Sequence, residues 1–489
     1  RLNAVCPVMH LACEPHRTDP PESTRTIRGR SHLAEQQFDI VVLGGGSAGY
    51  AAAIRATQLG FSAVVIEKDK LGGTCLHRGC VPTKALLHSA EVADVAREGE
   101  IYGVQSSVAG IDIAGVNRYR ENLVAGKFKG LQGLLKANNI TVIAGEGRLV
   151  AANTVEVAGE KIVGKHVVLA TGSYSRSLPG LEIGGRVITS EQALELQEIP
   201  KQVVILGGGV IGVEFASVWK SFGAEVTIVE GLPHLVPNEE ESISKQLERA
   251  FRKRKIDFKL GVRFKSVEQD ANGVVVTLED GTTIPADYLL VAVGRGPVTQ
   301  GLGYEEVGIN MDRGFVLTNE RLATNVPGVY AVGDIVPGLQ LAHRGYQQGI
   351  FVAEEIAGLA PVIVADANIP KITYCDPEIA SVGLTEAKAK EQYGEGNVSS
   401  YEYNLAGNAK SSILGTAGTV KAVRVNDGPV VGVHMIGARV GELVGEAQLI
   451  VNWEAYPEDV APFIHGHPTQ NETIGETMLK LAGKPLHAI

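Results

Sequence analysis

Cys75 and Cys80 are the residues best equipped for chemistry in this chain. They stand in Leu71-Gly-Gly-Thr-Cys75-Leu-His-Arg-Gly-Cys80-Val-Pro-Thr-Lys84, with Thr74, His77, Arg78 and Lys84 crowded around them. A thiolate is a nucleophile and a metal ligand, and neighbouring cations favour it. The pair therefore reads as catalytic or metal-binding, with two buried structural thiols as the alternative. Zinc asks for about four ligands, and His77 is the only histidine nearby, which weakens the metal reading. On an ideal helix, positions i and i+5 lie farther apart than the roughly 7 Å between Cα atoms that a disulfide tolerates. If the two cysteines bond, the segment must be distorted, and Gly79 and Pro82 are the expected places. Arg78 is expected to add a charge that stabilises a thiolate. A second constellation is His467-Pro-Thr-Gln-Asn-Glu472. An imidazole, which ordinarily titrates near neutrality, suits removal of a thiol proton, and a carboxylate can hold its tautomer and stabilise the imidazolium. His465 lies two positions earlier, but no third ligand of suitable spacing accompanies it, so no metal site is expected.

These groups need a scaffold, and the chain writes one twice. Phe38-Asp-Ile-Val-Val-Leu43 leads into Gly44-Gly-Gly46-Ser-Ala-Gly49, an Ala-rich helical stretch ending at Gly60, and Ala63-Val-Val-Ile-Glu67. Val203-Val-Ile-Leu206 leads into Gly207-Gly-Gly209-Val-Ile-Gly212, a helix ending at Gly223, and Val226-Thr-Ile-Val-Glu230. Residue 207 answers residue 44, 223 answers 60 and 230 answers 67, each 163 apart. One G-x-G-x-x-G is weak evidence, but two in matched register, each with strand, helix, strand and terminal acid, are strong. The first glycine permits the tight turn, the second admits a pyrophosphate, and the third lets helix pack on strand. Glu67 and Glu230 stand where an acid accepts hydrogen bonds from a ribose diol. Glu230 is followed by Gly-Leu-Pro-His234 with no Arg for a 2′-phosphate, so the second site reads as NAD. Glu67 alone suits either NAD or the ADP half of FAD.

The chain has 489 residues and room for about three domains. Lys+Arg 45 against Asp+Glu 55 gives a net charge of −10, which argues against gripping nucleic acid or anionic lipid. Five cysteines do not make a secreted disulfide framework. No apolar run reaches the roughly 20 residues of a membrane span. Residues 1–37 are rich in Arg, Pro, Thr and Ser without hydrophobic period, and are expected to be a disordered tail.

The C-x4-C segment after Glu67 resembles the redox-active disulfide of flavoprotein disulfide reductases. The resemblance covers about residues 38–489, through Ala170-Thr171-Gly172, Val291-Ala-Val-Gly294-Arg295, Gly328-Val-Tyr-Ala-Val-Gly333-Asp334 and His465-Gly-His467-Pro-Thr-Gln-Asn-Glu472. Within that family the chain looks most like the dihydrolipoamide dehydrogenase group. The resemblance implies an α/β fold with two Rossmann-like dinucleotide-binding domains and an α+β C-terminal dimerisation domain. It divides the chain into an FAD-binding domain at 38–184, an NAD-binding domain at 185–295, a central domain at 296–357 returning to the FAD site, and an interface domain at 358–489. It implies that Cys75 exchanges with substrate, that Cys80 faces the flavin, and that His467 with Glu472 arrives from the partner of a homodimer. Gly44, Gly46, Gly49, Glu67, Lys84, Gly147, Thr171, Gly172, Asp334 and Ala342 are expected at FAD. Gly207, Gly209, Gly212, Glu214, Glu230, Val267 and Gly294 are expected at NAD, with Glu214 also pairing Lys84.

The implied activity is oxidation of dihydrolipoamide to lipoamide with reduction of NAD. The implied partners are the lipoyl domains of 2-oxo acid dehydrogenase or glycine cleavage complexes, and the implied compartment is the cytoplasm. The alternative is an NAD(P)H-dependent reductase of another small disulfide, of glutathione or mycothione type, which Glu230 opposes because those relatives prefer NADP. Reductases with an extra C-terminal cysteine pair are disfavoured, since no cysteine follows Cys375. In many relatives Asn stands at the place of His77, Ser at Thr83 and Glu at Gln348.

Overall fold

The computed structural model describes residues 36–488. The expected tail therefore lies outside the described residues, except that Gln36 and Gln37 already belong to the first strand.

The first unit runs β1 (Gln36–Leu43), α1 (Ser47–Gln58), β2 (Ala63–Glu67), α2 (Gly73–His77), α3 (Cys80–Glu98), α4 (Ile113–Ala137), β3 (Thr141–Ala144), β4 (Gly147–Ala151), β5 (Thr154–Val157) and β6 (Glu160–Leu169). Its sheet has the order β3-β2-β1-β6-β5-β4, parallel from β3 to β6 and antiparallel beyond. Continuous Val/Ile runs without alternation fit strands covered on both faces. Val41, Val42, Val64 and Val65 are fully buried.

The short β7 (Ser173–Ser175) leads to a second unit: β8 (Val187–Ile188), α5 (Ser190–Ala193), β9 (Gln202–Leu206), α6 (Val210–Phe222), β10 (Glu225–Glu230), α7 (Glu241–Lys253), β11 (Asp257–Leu260), the antiparallel β12 (Phe264–Gln269), β13 (Val274–Leu278) and β14 (Thr283–Ala286), and β15 (Tyr288–Val291). Here the sheet β11-β10-β9-β15-β8 is wholly parallel. The repeat read in sequence reappears as register: Leu43 pairs Ile66 in the first sheet, and Leu206 pairs Val229 in the second.

Next come β16 (Arg295–Pro297), paired with β7, then β17 (Met311–Asp312), β18 (Phe315–Val316), β19 (Val329–Ala331) and α8 (Ala342–Ile356). This stretch builds no core of its own. β19 joins the first sheet beside β6, and Leu302, Tyr304, Ile309 and Val316 pack into the same core as Val41 and Ile66. Helix α8 lies so close on α1 that a Cβ at Gly349 would fall 2.2 Å from the Ala48 carbonyl oxygen.

The third unit holds β20 (Lys371–Thr373), β21 (Glu378–Gly383), α9 (Glu386–Tyr393), β22 (Val398–Asn404), α10 (Ala409–Ile413), β23 (Thr419–Val425), β24 (Val430–Gly437), α11 (Val440–Asn452), α12 (Pro457–Val460) and α13 (Glu472–Leu481). Its antiparallel sheet β20-β21-β24-β23-β22 buries Val420, Val433 and Met435 against Leu443, Ala447, Ile474 and Met478 of α11 and α13. The same unit leaves Trp453, Phe463 and Ile464 exposed, Ile464 almost completely at 99%. Among the described residues no helix is long and apolar enough to cross a membrane.

Candidate redox site between two nucleotide cradles

Cys75 sits in the middle of the short α2, and Cys80 is the first residue of the long α3. The chain breaks between them at Arg78 and Gly79, where Gly79 takes φ −145° and ψ −106°. Pro82, the other expected place of distortion, instead lies buried in the first turn of α3, where a missing N–H removes no helical bond. Both cysteines are thiols, within hydrogen-bonding reach of each other. The Cys75 thiol donating to Cys80, then the Lys84 charge, outweigh burial and pull Cys80 down to about 7. Its place at a helix N-terminus favours the same ionised form. Hydrogen bonding to Cys80 and burial push the Cys75 thiol up.

The crowd of polar neighbours expected around the pair resolves differently. Arg78 gives its charge to Asp69 at the surface, so it is not the thiolate's counter-ion. His77 Nε2 meets the Leu71 carbonyl at 2.9 Å, and its ring stands edge-on to Phe128, which makes it a brace of the loop. Lys84 is the cation that acts on the thiols. Its Nζ donates to both Glu214 oxygens, at 2.9 and 2.8 Å. Glu214 is buried on α6, and its carboxylate turns toward Lys84 and the Tyr374 N–H.

The two glycine turns are built alike. Gly44 and Gly207 adopt φ +106° and +109°, and a Cβ there would strike the Ala170 or Ala292 carbonyl oxygen at 2.2 and 2.4 Å. At Gly49 and Gly212 a Cβ would fall 1.9 and 2.0 Å from the carbonyl oxygen of the first glycine. Gly46 and Gly209 precede α1 and α6, and neither helix has a side-chain cap on its first N–H groups. Uncapped N–H groups behind a glycine cradle fit a pyrophosphate. Glu67 accepts from Gly45 N at 2.6 Å and Asp69 N at 2.8 Å, and Glu230 accepts from Gly208 N at 2.7 Å and Leu232 N at 2.8 Å.

Around the first cradle, Gly147 begins β4 packed against Leu43 and Ile66 at the carboxyl ends of their strands. Thr171 donates to the Val298 carbonyl at 2.5 Å, and Gly172 keeps open space beside it. Asp334 accepts from Ser173 Oγ at 2.5 Å. Ala342 opens α8, which also lacks a side-chain cap, and Gln348 accepts from Gly333 N at 2.7 Å. At the second cradle Gly294 faces open space at φ +106°, and Val267 on β12 packs with Leu206 and Val229. The sequence motif ending in Gly294-Arg295 offered one more residue than was taken from it. Arg295 donates to Ser173 O and Oγ at 2.8 Å each, and burial lowers its pKa against the pull of Asp334.

His467 and Glu472 come together but stand apart from the thiols. His467 Nδ1 lies 2.8 Å from Glu472 Oε1, and Thr469 N donates to Glu472 Oε2 at 2.8 Å. Against the effect of burial, these two bonds hold the Glu472 carboxyl below its usual range. Helix α13 packs on α12, β22 and β23, whereas α2 packs on α3 and α4. The His467 side chain is 71% exposed. His465 pairs with Glu446, and no cluster of metal-ligating side chains occurs among the described residues.

Comparison with known proteins gives these features a family setting. Residues 38–349 match the model described as pyridine nucleotide-disulphide oxidoreductase, and residues 369–478 match its dimerisation domain. The mitochondrial dihydrolipoyl dehydrogenase of Pisum sativum is 39% identical over 487 residues, 95% of this chain and 97% of that protein. The dihydrolipoyl dehydrogenase of Bacillus subtilis is 39% identical over 472 residues, 92% of this chain and 99% of its own length. The crystal structure of LpdA from Mycobacterium tuberculosis superposes with a TM-score of 0.84 at 27% identity, covering 91% of this chain and 99% of that one.

Proposed function

Because the chain belongs to the pyridine nucleotide-disulphide oxidoreductase family, we propose that it oxidises protein-bound dihydrolipoamide with NAD as a homodimeric FAD enzyme. The observation that carries this reading is the place of the thiols between two nucleotide cradles. Helix α2 starts at Gly73, where a Cβ would press on Gly46 of the first cradle at 2.9 Å, and Lys84 reaches Glu214 beside the second. Segments 38–184 and 296–357 would hold FAD through Gly44, Gly46, Gly49, Glu67, Lys84, Gly147, Thr171, Gly172, Asp334 and Ala342. Segment 185–295 would hold NAD through Gly207, Gly209, Gly212, Glu214, Glu230, Val267 and Gly294.

In the oxidised enzyme Cys75 and Cys80 are joined. His467 of the partner subunit, held by its Glu472, takes the proton of one dihydrolipoyl thiol. The resulting thiolate attacks Cys75, the Cys75–Cys80 bond breaks, and Cys80 leaves as a thiolate beside Lys84. The second substrate thiol attacks the first substrate sulfur and closes the lipoyl ring, its proton passing to Cys75, which is released as a thiol. Two electrons now rest on the cysteines. When bound, FAD supplies the two-electron transfer from this dithiol to NAD. An attacking thiol works best with a pKa near ambient pH, which the His–Glu pair serves at the substrate, and a thiol of lowered pKa leaves faster, which the Lys84 charge serves at Cys80. The partners on this reading are lipoyl domains of 2-oxo acid dehydrogenase or glycine cleavage complexes, in the cytoplasm.

The test is the initial rate of NAD reduction by dihydrolipoamide on the purified yellow protein, with NADP as paired control. Fast turnover with NAD and little with NADP is expected. Absence of turnover from flavin-loaded dimer would overturn the substrate and move it to another small disulfide.

A further inference from the structure

Lys84 stands where all three units meet. It is carried by α3 of the first, and its ammonium is held by Glu214 of the second. Tyr374, the residue after β20 in the third, sets its ring with the centroid 4.8 Å from Nζ. Tyr374 acts a second time through its backbone, whose N–H donates to Glu214 Oε1 at 2.9 Å. The following residues keep that segment fixed. Asp376 N donates to Ser217 Oγ at 3.1 Å, and Arg254 donates to the Asp376 carbonyl at 2.9 Å.

Each contact has a physical consequence for the ammonium. A buried carboxylate is costly unless its lone pairs are used, and the Tyr374 amide takes one that Lys84 leaves free. A lysine gripped at one carboxylate can still pivot on its four-carbon stem, and the electron-rich ring face supplies the second constraint. The ring also keeps water from one side of the charge. The Cys75 thiol and that charge favour the ionised form of Cys80 against burial and the Glu214 carboxylate, and Arg295 bears on the same thiolate.

We propose that Tyr374 is a positioning residue for the redox pair: by covering Lys84 and bracing Glu214, it sets how much of Cys80 stands as thiolate. The C-terminal unit then does more than join subunits, since it holds the charge that tunes a thiol in the first. This inference deepens the reading of the site given above and rests on it for the chemical use of that thiol.

The experiment follows thiolate ultraviolet absorbance against pH in the holoenzyme, as the difference between Cys75→Ser and Cys75→Ser/Cys80→Ser, so that Cys80 alone is seen. Added Tyr374→Leu should lower the thiolate-to-thiol ratio about three- to tenfold, a midpoint raised by roughly half to one unit. Tyr374→Phe keeps the ring and the amide and should match the parent. Lys84→Met should raise the midpoint at least as far as Tyr374→Leu. If Tyr374→Leu does not fold, para-cyanophenylalanine at 374 keeps the ring's shape but drains its face, and should shift the midpoint the same way. An unchanged midpoint in whichever of these two variants folds, or in Lys84→Met, overturns the proposal. The long-wavelength thiolate–flavin absorbance of the same samples is read separately. Its absence from the parent, with the ultraviolet titration intact, would count against flavin at this site and leave the Tyr374 result standing.

Discussion

The two glycine cradles share a backbone and differ in what surrounds them. Turn angles, helix starts and the hydrogen bonds of Glu67 and Glu230 are nearly superimposable across 163 residues. Around the first, however, the chain closes in: Gly73 of α2 presses on Gly46, and Gly333, Gly345 and Gly349 bring the returning segment against Ala48. Around the second, a Cβ at Gly209 would meet nothing within 4 Å among the described residues, and Val210 at the head of α6 is 44% exposed. An enclosed cradle suits a group that stays through many turnovers, and an open one suits a group that must leave each time. On the reading proposed above, one motif, duplicated, serves a resident cofactor at the first cradle and an exchanging one at the second through its neighbours alone.

That contrast can be broken in order of severity. Cys75→Ser removes the chemistry that the cap over the first cradle carries, and should cost about 10³-fold or more in dihydrolipoamide oxidation while flavin stays bound. Retained turnover in a stopped-flow assay would remove Cys75 from its role. Next, Gly349→Ala should push α8 from α1, destabilise the protein by about 1–3 kcal/mol and release flavin on dialysis. Its counterpart, Gly209→Ala, should keep flavin content and melting temperature and raise only the KM for NAD. Equal flavin loss in both would show that enclosure does not hold the cofactor.

Glu230→Ala should narrow the preference for NAD over NADP by about tenfold, the worth of one charge-assisted contact, without touching flavin content. An unchanged ratio of kcat/KM would show that Glu230 does not meet the ribose. The smallest effect concerns pH. With Cys80 pulled down to about 7, thiolate in the reduced enzyme should be half-formed there and fade toward acid. The unfolded chain keeps that proton up to about 9.0, so stability of the reduced protein should rise with pH between the two values. A calorimetric melting temperature of the reduced protein that stays flat across that window would contradict the shift.

How far the sequence could foresee this depends on the range of each contact. The cradles were legible because turn, helix and acid lie within about two dozen residues, and their spacing is dictated by local geometry. The break at Gly79 was legible for the same reason. Pro82 misled because proline is tolerated in a first helical turn, which depends on where the helix begins. Arg78 misled because its nearest cysteine in sequence is not its nearest anion in space, Asp69. The stretch 296–357, which the resemblance set apart as a central domain returning to the FAD site, spends its apolar residues on the core of the first unit. Tyr374 carried no signal at all, since a tyrosine 160 positions from Glu214 announces nothing until three units are brought together.

The exposure of His467, beside an uncovered Phe463 and Ile464, carries a consequence for inheritance. If each working centre takes its thiols from one subunit and its imidazole from the other, two different defects need not add. A subunit lacking Cys75 and a subunit lacking His467 are each dead as a homodimer. Mixed in one cell, they form heterodimers in which one centre has lost both parts and the other has lost neither. Random assortment makes half of all dimers mixed, which restores about a quarter of normal activity. Two alleles that fail alone would thus complement each other, while two defects on the same side of the centre would not.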